Sequence, residues 1–220
     1  MTSNLMDIEE KIAAAAEHCG RVPKDITLVA VSKVHIEETI LPVLESGQRV
    51  FGENRVQEAA QKWPALKNRF DNVKLHLIGP LQTNKARQAV HLFDVIETVD
   101  RPKLAKMLAR IFEEEAKKCD IYIQINTGHE KQKAGILPES ADKFITLCRD
   151  DLKLPVKGVM CIPPFDEDST QHFKLLKEIA DRNNIKNLSM GMSSDFEKAI
   201  KNGATHVRVG TAIFGTRPGY

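Results

Sequence analysis

The sequence has little that would commit it to a membrane, a nucleic acid or an oxidising compartment. Lysine and arginine number 32 against 30 aspartates and glutamates, a balance that excludes the large basic excess of nucleic-acid and anionic-surface binders. No apolar run approaches the roughly 20 residues of a bilayer-spanning helix. Residues 1–11 are acidic early and lack an apolar core, so they read as no signal peptide. The four cysteines, Cys19, Cys119, Cys148 and Cys161, are far apart. They form no Cys-x-x-Cys pair, and no histidine cluster offers zinc spacing. Free thiols in a reducing cytoplasm are the expected state, with Cys161 either an inert buried thiol or a reactive one. The Gly-x-Gly-x-x-Gly fingerprint of a dinucleotide site is missing. Gly79-Pro80-Leu81-Gln82-Thr83-Asn84-Lys85 lacks the second glycine of a Walker A loop. Linkers, low-complexity stretches and internal repeats are absent as well.

What is present is an alternation of short apolar runs and amphipathic segments. A helix over 5–19, ended by Gly20, comes first. Strands are expected over 26–32, 49–52, 74–78, 95–99, 121–126, 156–162, 187–190 and 206–210. Helices are expected over 37–45, 56–62, 84–92, 102–118, 138–149, 168–182 and 195–201. Alternation of this kind means a parallel sheet wrapped by helices. Eight strands point to a closed (β/α)₈ TIM barrel in one domain, 1–220, with an open doubly wound sheet as the alternative.

In such a barrel the strand ends form one face, and that face carries the chemistry. Polar residues gather there: Lys33 after the first strand, Glu53 and Asn54 after the second, His76 in the third, Asn126 at the fifth. Ser189-Met190-Gly191-Met192-Ser193 marks the seventh and Arg208-Val209-Gly210-Thr211 the eighth. A lysine closing a strand covered on both faces stands at the mouth of a pocket, where burial makes its neutral amine accessible for a Schiff base. The alternative is a surface lysine in a strand-to-helix loop.

The spacing of Ser194 and Glu197 fits a capping box and predicts a helix start after strand seven, whose free N–H groups would favour an anion. Gly210 and Thr211 could add further donors; ordinary capping is the alternative. Alternation puts His206, Arg208 and Gly210 on one strand face and Val207 and Val209 on the other. If the valines meet the helices, Arg208 enters the barrel and must find a carboxylate, a phosphate or a heterocycle nitrogen, a structural ion pair being one outcome. His76 is either pocket-lining or a hydrogen-bonded core histidine, and Lys85 and Arg87 either attract anions or form a solvated helix face.

Five segments, in order along the chain, resemble the pyridoxal-phosphate homeostasis protein family: Leu28-Val29-Ala30-Val31-Ser32-Lys33; Phe51-Gly52-Glu53-Asn54 with Gln57-Glu58; His76-Leu77-Ile78-Gly79-Pro80-Leu81-Gln82-Thr83-Asn84-Lys85; Leu188-Ser189-Met190-Gly191-Met192-Ser193-Ser194-Asp195; and Val207-Arg208-Val209-Gly210-Thr211-Ala212-Ile213-Phe214-Gly215-Thr216-Arg217. The resemblance implies a barrel of the alanine racemase N-terminal type with pyridoxal 5′-phosphate (PLP) held covalently. Lys33 matches the family's Schiff-base lysine. Ser193, Gly210, Thr211 and the backbone around Met192 match its phosphate-binding positions. Arg208 matches the arginine facing the pyridine nitrogen, and Asn54 and His76 fall in cofactor-lining motifs. An arginine there keeps that nitrogen unprotonated and weakens carbanion chemistry.

The chain ends at Tyr220, just after the barrel, without the second β-rich domain of the racemases. The resemblance therefore implies a non-catalytic, cytoplasmic PLP carrier in vitamin B6 homeostasis, with PLP-dependent apo-enzymes as acceptors. A racemase or lyase of the same fold type is the alternative, and a phosphate-binding barrel without a Schiff base a third reading. Arg55, Leu75 and Ala134 depart from the residues usual in the family, and all three are expected at the rim.

Overall fold

The computed structural model describes residues 2–215. Eight strands alternate with helices: β1 (Thr27–Val31), β2 (Val50–Glu53), β3 (Lys74–Leu77), β4 (Val95–Val99), β5 (Asp120–Ile125), β6 (Val156–Cys161), β7 (Asn187–Met192) and β8 (His206–Val209). All neighbours pair in parallel, and β8 closes on β1, giving a barrel in the order β1 to β8. The closed barrel is the expected architecture, and the open sheet is excluded. Helix α1 (Ser3–His18) precedes the barrel. Between and after the strands run α2 (Glu37–Glu45), α3 (Val56–Arg69), α4 (Ala86–Leu92), α5 (Pro102–Glu115), α6 (Ala141–Thr146), α7 (Ser169–Arg182), α8 (Phe196–Lys201) and α9 (Thr211–Phe214).

The two faces of each strand go to two different cores. Phe51, Leu75, Ile96, Ile121, Val159 and Val207 join the apolar layer under the helices. The opposite face fills the barrel. A β-carbon on Gly52 would lie 3.0 Å from both Val29 Cγ1 and Ile78 Cδ1. Tyr122 packs over Gly158 and sets its ring edge-on to His206. This period-two division is why each strand reads as a nearly unbroken apolar run.

Helix α3 is longer than the expected 56–62, because the chain continues helically through Pro64 to Arg69. An interior proline costs roughly 3 kcal/mol. Trp63 is fully buried, with its ring 4.9 Å from that of Phe51, and Leu66 is buried beside it. Each such side chain contributes about 1.5–3 kcal/mol, enough to carry the helix past the proline. Helix α5 stops at Glu115, three residues short of the expectation, because Ala116 takes a left-handed conformation at φ 48°. The segment expected as one helix over 138–149 is a 3₁₀ turn, α6 and a π-helical turn (Leu147–Asp151). The short α9 has no counterpart among the expected helices.

Candidate functional site at the barrel mouth

Strand β1 positions the candidate nucleophile. Its ladder to β2 extends to Ser32, whose N–H donates to the Gly52 carbonyl at 3.0 Å. Val29 faces the interior, so Val31 and then Lys33 fall on that same side of the alternation. Ser32 turns the other way and donates to Glu53 Oε1 at 2.6 Å. Lys33 is half-buried, in a turn. Val34 follows in the left-handed region at φ 62°, a conformation β-branched residues rarely adopt.

The β8 end lies against this turn. Ala30 is in register with Val209, so Gly210 follows beside Val31. The ring of His35 stacks on Phe214 of α9 with centroids 5.1 Å apart, which fixes the Lys33 turn against the helix that opens with Thr211. In α9, the N–H groups of Ile213 and Phe214 return to the Gly210 carbonyl. Thr211 is exposed at the start of that helix. Ser193 lies exposed in the turn after β7.

That turn differs from the expected capping box. Asp195, not Ser194, occupies the N-cap of α8, and its Oδ1 accepts the Met192 N–H at 2.7 Å. The Met192 N–H, which lies in a segment that the resemblance matches to phosphate binding, is thus taken by a carboxylate. Gly191 makes the turn possible: at φ +91°, a β-carbon there would stand 2.5 Å from Ala199 Cβ and 2.9 Å from Phe196 Cα. The Ser193 and Thr211 hydroxyls and the backbone amides beside them are donors of the kind that fit a dianionic phosphate such as that of PLP.

Asn54 follows β2, half-buried at the same face. Its backbone is pressed against Gly79, where a β-carbon would lie 2.3 Å from the Asn54 carbonyl oxygen. Asn54, Arg55, Gln82, Lys85 and Arg101 line a cleft of about 790 Å³ along this side of the rim.

His76 and Arg208 lie deeper, in one buried network. Arg208 donates from Nη1 to Ser189 Oγ at 2.7 Å and from Nη2 to the Cys161 carbonyl at 2.8 Å. Ser189 donates onward to Glu97 Oε2 at 2.6 Å, and Glu97 Oε1 lies 2.7 Å from His76 Nδ1. Desolvation pushes the fully buried Glu97 carboxyl up. The His76 hydrogen bond and charge, the Arg208 charge and the Ser189 hydroxyl outweigh it and hold Glu97 below the usual carboxylate range. Arg208 thus has its counter-charge inside the barrel, through a serine bridge. Below it, desolvation pushes His206 down to about 4 despite the pull of Glu97.

Several polar residues expected at the rim serve elsewhere. Glu53 points outward under α3, accepting from Trp63 Nε1 at 3.0 Å and pairing with Lys62 at 2.9 Å. Asn126 ties its own loop by donating to the Glu130 carbonyl at 2.8 Å. Leu75 is fully buried in the helix-facing layer, so that departure from the family pattern does not touch the rim. Arg55 and Ala134 do lie near it. Thr216 and Arg217 of the last motif fall outside the described residues. Glu97 and Lys62 were not singled out from the sequence. A carboxylate inside the apolar run Val95-Ile96-Glu97-Thr98-Val99 was the available signal for the first, since a buried arginine demands one.

Cys119, Cys148 and Cys161 are buried, and burial pushes each thiol up to about 12. Cys161 is therefore the inert thiol of the two readings. Among the described residues no group of three or more metal-ligating side chains occurs, and no helix is long and apolar enough to cross a membrane.

Residues 3–218 match the alanine racemase N-terminal domain family. The pyridoxal phosphate homeostasis protein of Escherichia coli K12 is 38% identical over 97% of this chain and 95% of its own length. PipY of Synechococcus elongatus PCC7942, solved with PLP bound, superposes with a TM-score of 0.80 at 35% identity, covering 94% of this chain and 100% of that one. An alanine racemase from Clostridium difficile 630 shares the fold at 15% identity, with a TM-score of 0.71 over 96% of this chain and 57% of that one.

Proposed function

The chain belongs to the pyridoxal phosphate homeostasis protein family, and from that membership we propose that it binds PLP as a Schiff base on Lys33 and carries the cofactor without catalysing a reaction on it. The observation that supports this most is the joining of the Lys33 turn to the start of α9 through the His35–Phe214 stack. It sets an amine and a group of phosphate-type donors on one rim. PLP, when bound, supplies an aldehyde that condenses with a lysine amine with loss of water, and an electron-poor ring.

The chain's own residues would then divide the work. Ser193, Thr211 and the amides that follow Met192 and Gly210 would receive the phosphate. Asn54 lines the ring's flank. Arg208, already balanced by Glu97, directs a permanent positive charge toward the ring nitrogen and disfavours its protonation. His76 holds Glu97 from the far side, so its part is in keeping Arg208 in place. An arginine at that nitrogen speaks for holding the cofactor over using it as an electron sink.

In this reading 1–220 is one PLP-binding domain, working in the cytoplasm, where unpaired cysteines are the rule, and passing PLP to apo-enzymes. The test is incubation of the PLP-loaded protein with amino acids in deuterated water. The carrier reading expects no α-proton exchange above that of free PLP. Exchange that disappears in Lys33→Ala would favour a racemase or lyase instead.

A further inference from the structure

We propose that Lys62, acting with Glu58, is a positioning residue that holds the Lys33 turn in its working conformation, an inference that rests on the role proposed for Lys33. Lys62 lies on α3, outside the barrel, and is only 7% exposed. Its ammonium donates to the Ser32 carbonyl at 2.9 Å and to the His35 carbonyl at 3.0 Å. These are the residues on either side of the Lys33–Val34 pair. It also contacts Glu53 Oε1 and Glu58 Oε1, each at 2.9 Å.

The same Glu58 oxygen accepts the Val34 N–H at 2.6 Å. Three points of the turn's backbone, at Ser32, Val34 and His35, are thus tied to one ion cluster. Between them Val34 sits at φ 62°, a strained conformation for a β-branched side chain that persists only where its surroundings impose it. Charged hydrogen bonds are the strong ones, and a compact ammonium on a flexible stem brings three rotatable donors to the oxygens around it. Ser32 is bound twice, through its carbonyl to Lys62 and through its hydroxyl to Glu53. The cluster therefore sets where β1 stops, and so which way the next residue points.

The experiment compares the unsubstituted protein with Lys62→Met, Glu58→Ala and Glu58→Gln. Two rates are read below the melting temperature of every variant: amide hydrogen exchange at Val34 without PLP, and release of PLP on dilution, followed by its visible band. Loss of one charged hydrogen bond corresponds to roughly tenfold. Lys62→Met and Glu58→Ala are expected to raise both rates by about that factor or more. Glu58→Gln keeps an acceptor for Val34 and should stay within about threefold.

Equal rates in all four proteins, with only the melting temperature lowered, would overturn the proposal, since ordinary packing would then explain the cluster. Glu58 is partly exposed, so its variants remain informative if Lys62→Met does not fold. If PLP is never trapped on Lys33, the proposed function fails, while Val34 exchange still decides whether the clamp exists.

Discussion

The Ser189 hydroxyl stands between Arg208 and Glu97, accepting from the guanidinium at 2.7 Å and donating to the carboxylate at 2.6 Å. The two charges therefore meet through an atom that can serve both. The guanidinium is held from two strands, by Ser189 on β7 and by the Cys161 carbonyl on β6. A charge fixed in this way is oriented before any ligand arrives.

Ser189→Ala removes the bridge and leaves two buried ionic groups short of a partner. Denaturant unfolding should report a loss of roughly 1.5–3 kcal/mol, and PLP affinity should fall with it. A change within about 0.5 kcal/mol would mean that Arg208 and Glu97 re-pair directly.

The pH dependence follows from Glu97. Its folded pKa lies below the reference 4.5, so its contribution is fully present above about pH 4.5 and is lost as pH falls through the folded value. Glu97→Gln removes that contribution. Its unfolding free energy should be lower at neutral pH and fall less steeply below pH 4.5 than that of the unsubstituted protein. Desolvation raises Glu53 and gives the opposite sign: protonating it favours the folded state. Stability curves for Glu97→Gln and Glu53→Gln should therefore diverge in acid.

Much of this was legible in the sequence, for a reason that also limits it. Strands covered on both faces appear as apolar runs, so all eight could be placed. The amine, hydroxyls and glycines of the mouth lie in continuous motifs, and those could be read as well. Interior polar partners are different. Glu97 is 92 positions from Ser189 and 111 from Arg208, and only barrel closure brings them together. Lys62 closes the helix expected over 56–62, but the carbonyls it meets, on Ser32 and His35, are 30 and 27 positions away, and Asp195 takes the N-cap position expected for Ser194.

Gly191→Ala tests the turn after β7. Left-handed backbone at a non-glycine residue costs about 1–3 kcal/mol, and the new methyl would meet Ala199 Cβ at 2.5 Å, adding overpacking of similar size. Denaturant unfolding should show a loss of at least 2 kcal/mol or so, with weaker binding of PLP. Unchanged stability would mean that α8 can shift outward freely.

Thr211→Val and Ser193→Ala separate phosphate recognition from the rest of the site. Each hydroxyl should contribute about fivefold to affinity for PLP, from a net hydrogen bond near 1 kcal/mol. Affinity for pyridoxal, which lacks the phosphate, should hardly change. Equal losses for both ligands would place these hydroxyls away from the phosphate.

The most direct test of the account is borohydride reduction of the PLP-treated protein, followed by peptide mapping. The account predicts one stoichiometric pyridoxyl label on Lys33, in the peptide that begins after Lys24, and none there in Lys33→Ala. A label spread over surface lysines, or a protein that binds PLP equally well after Lys33→Ala, would contradict it.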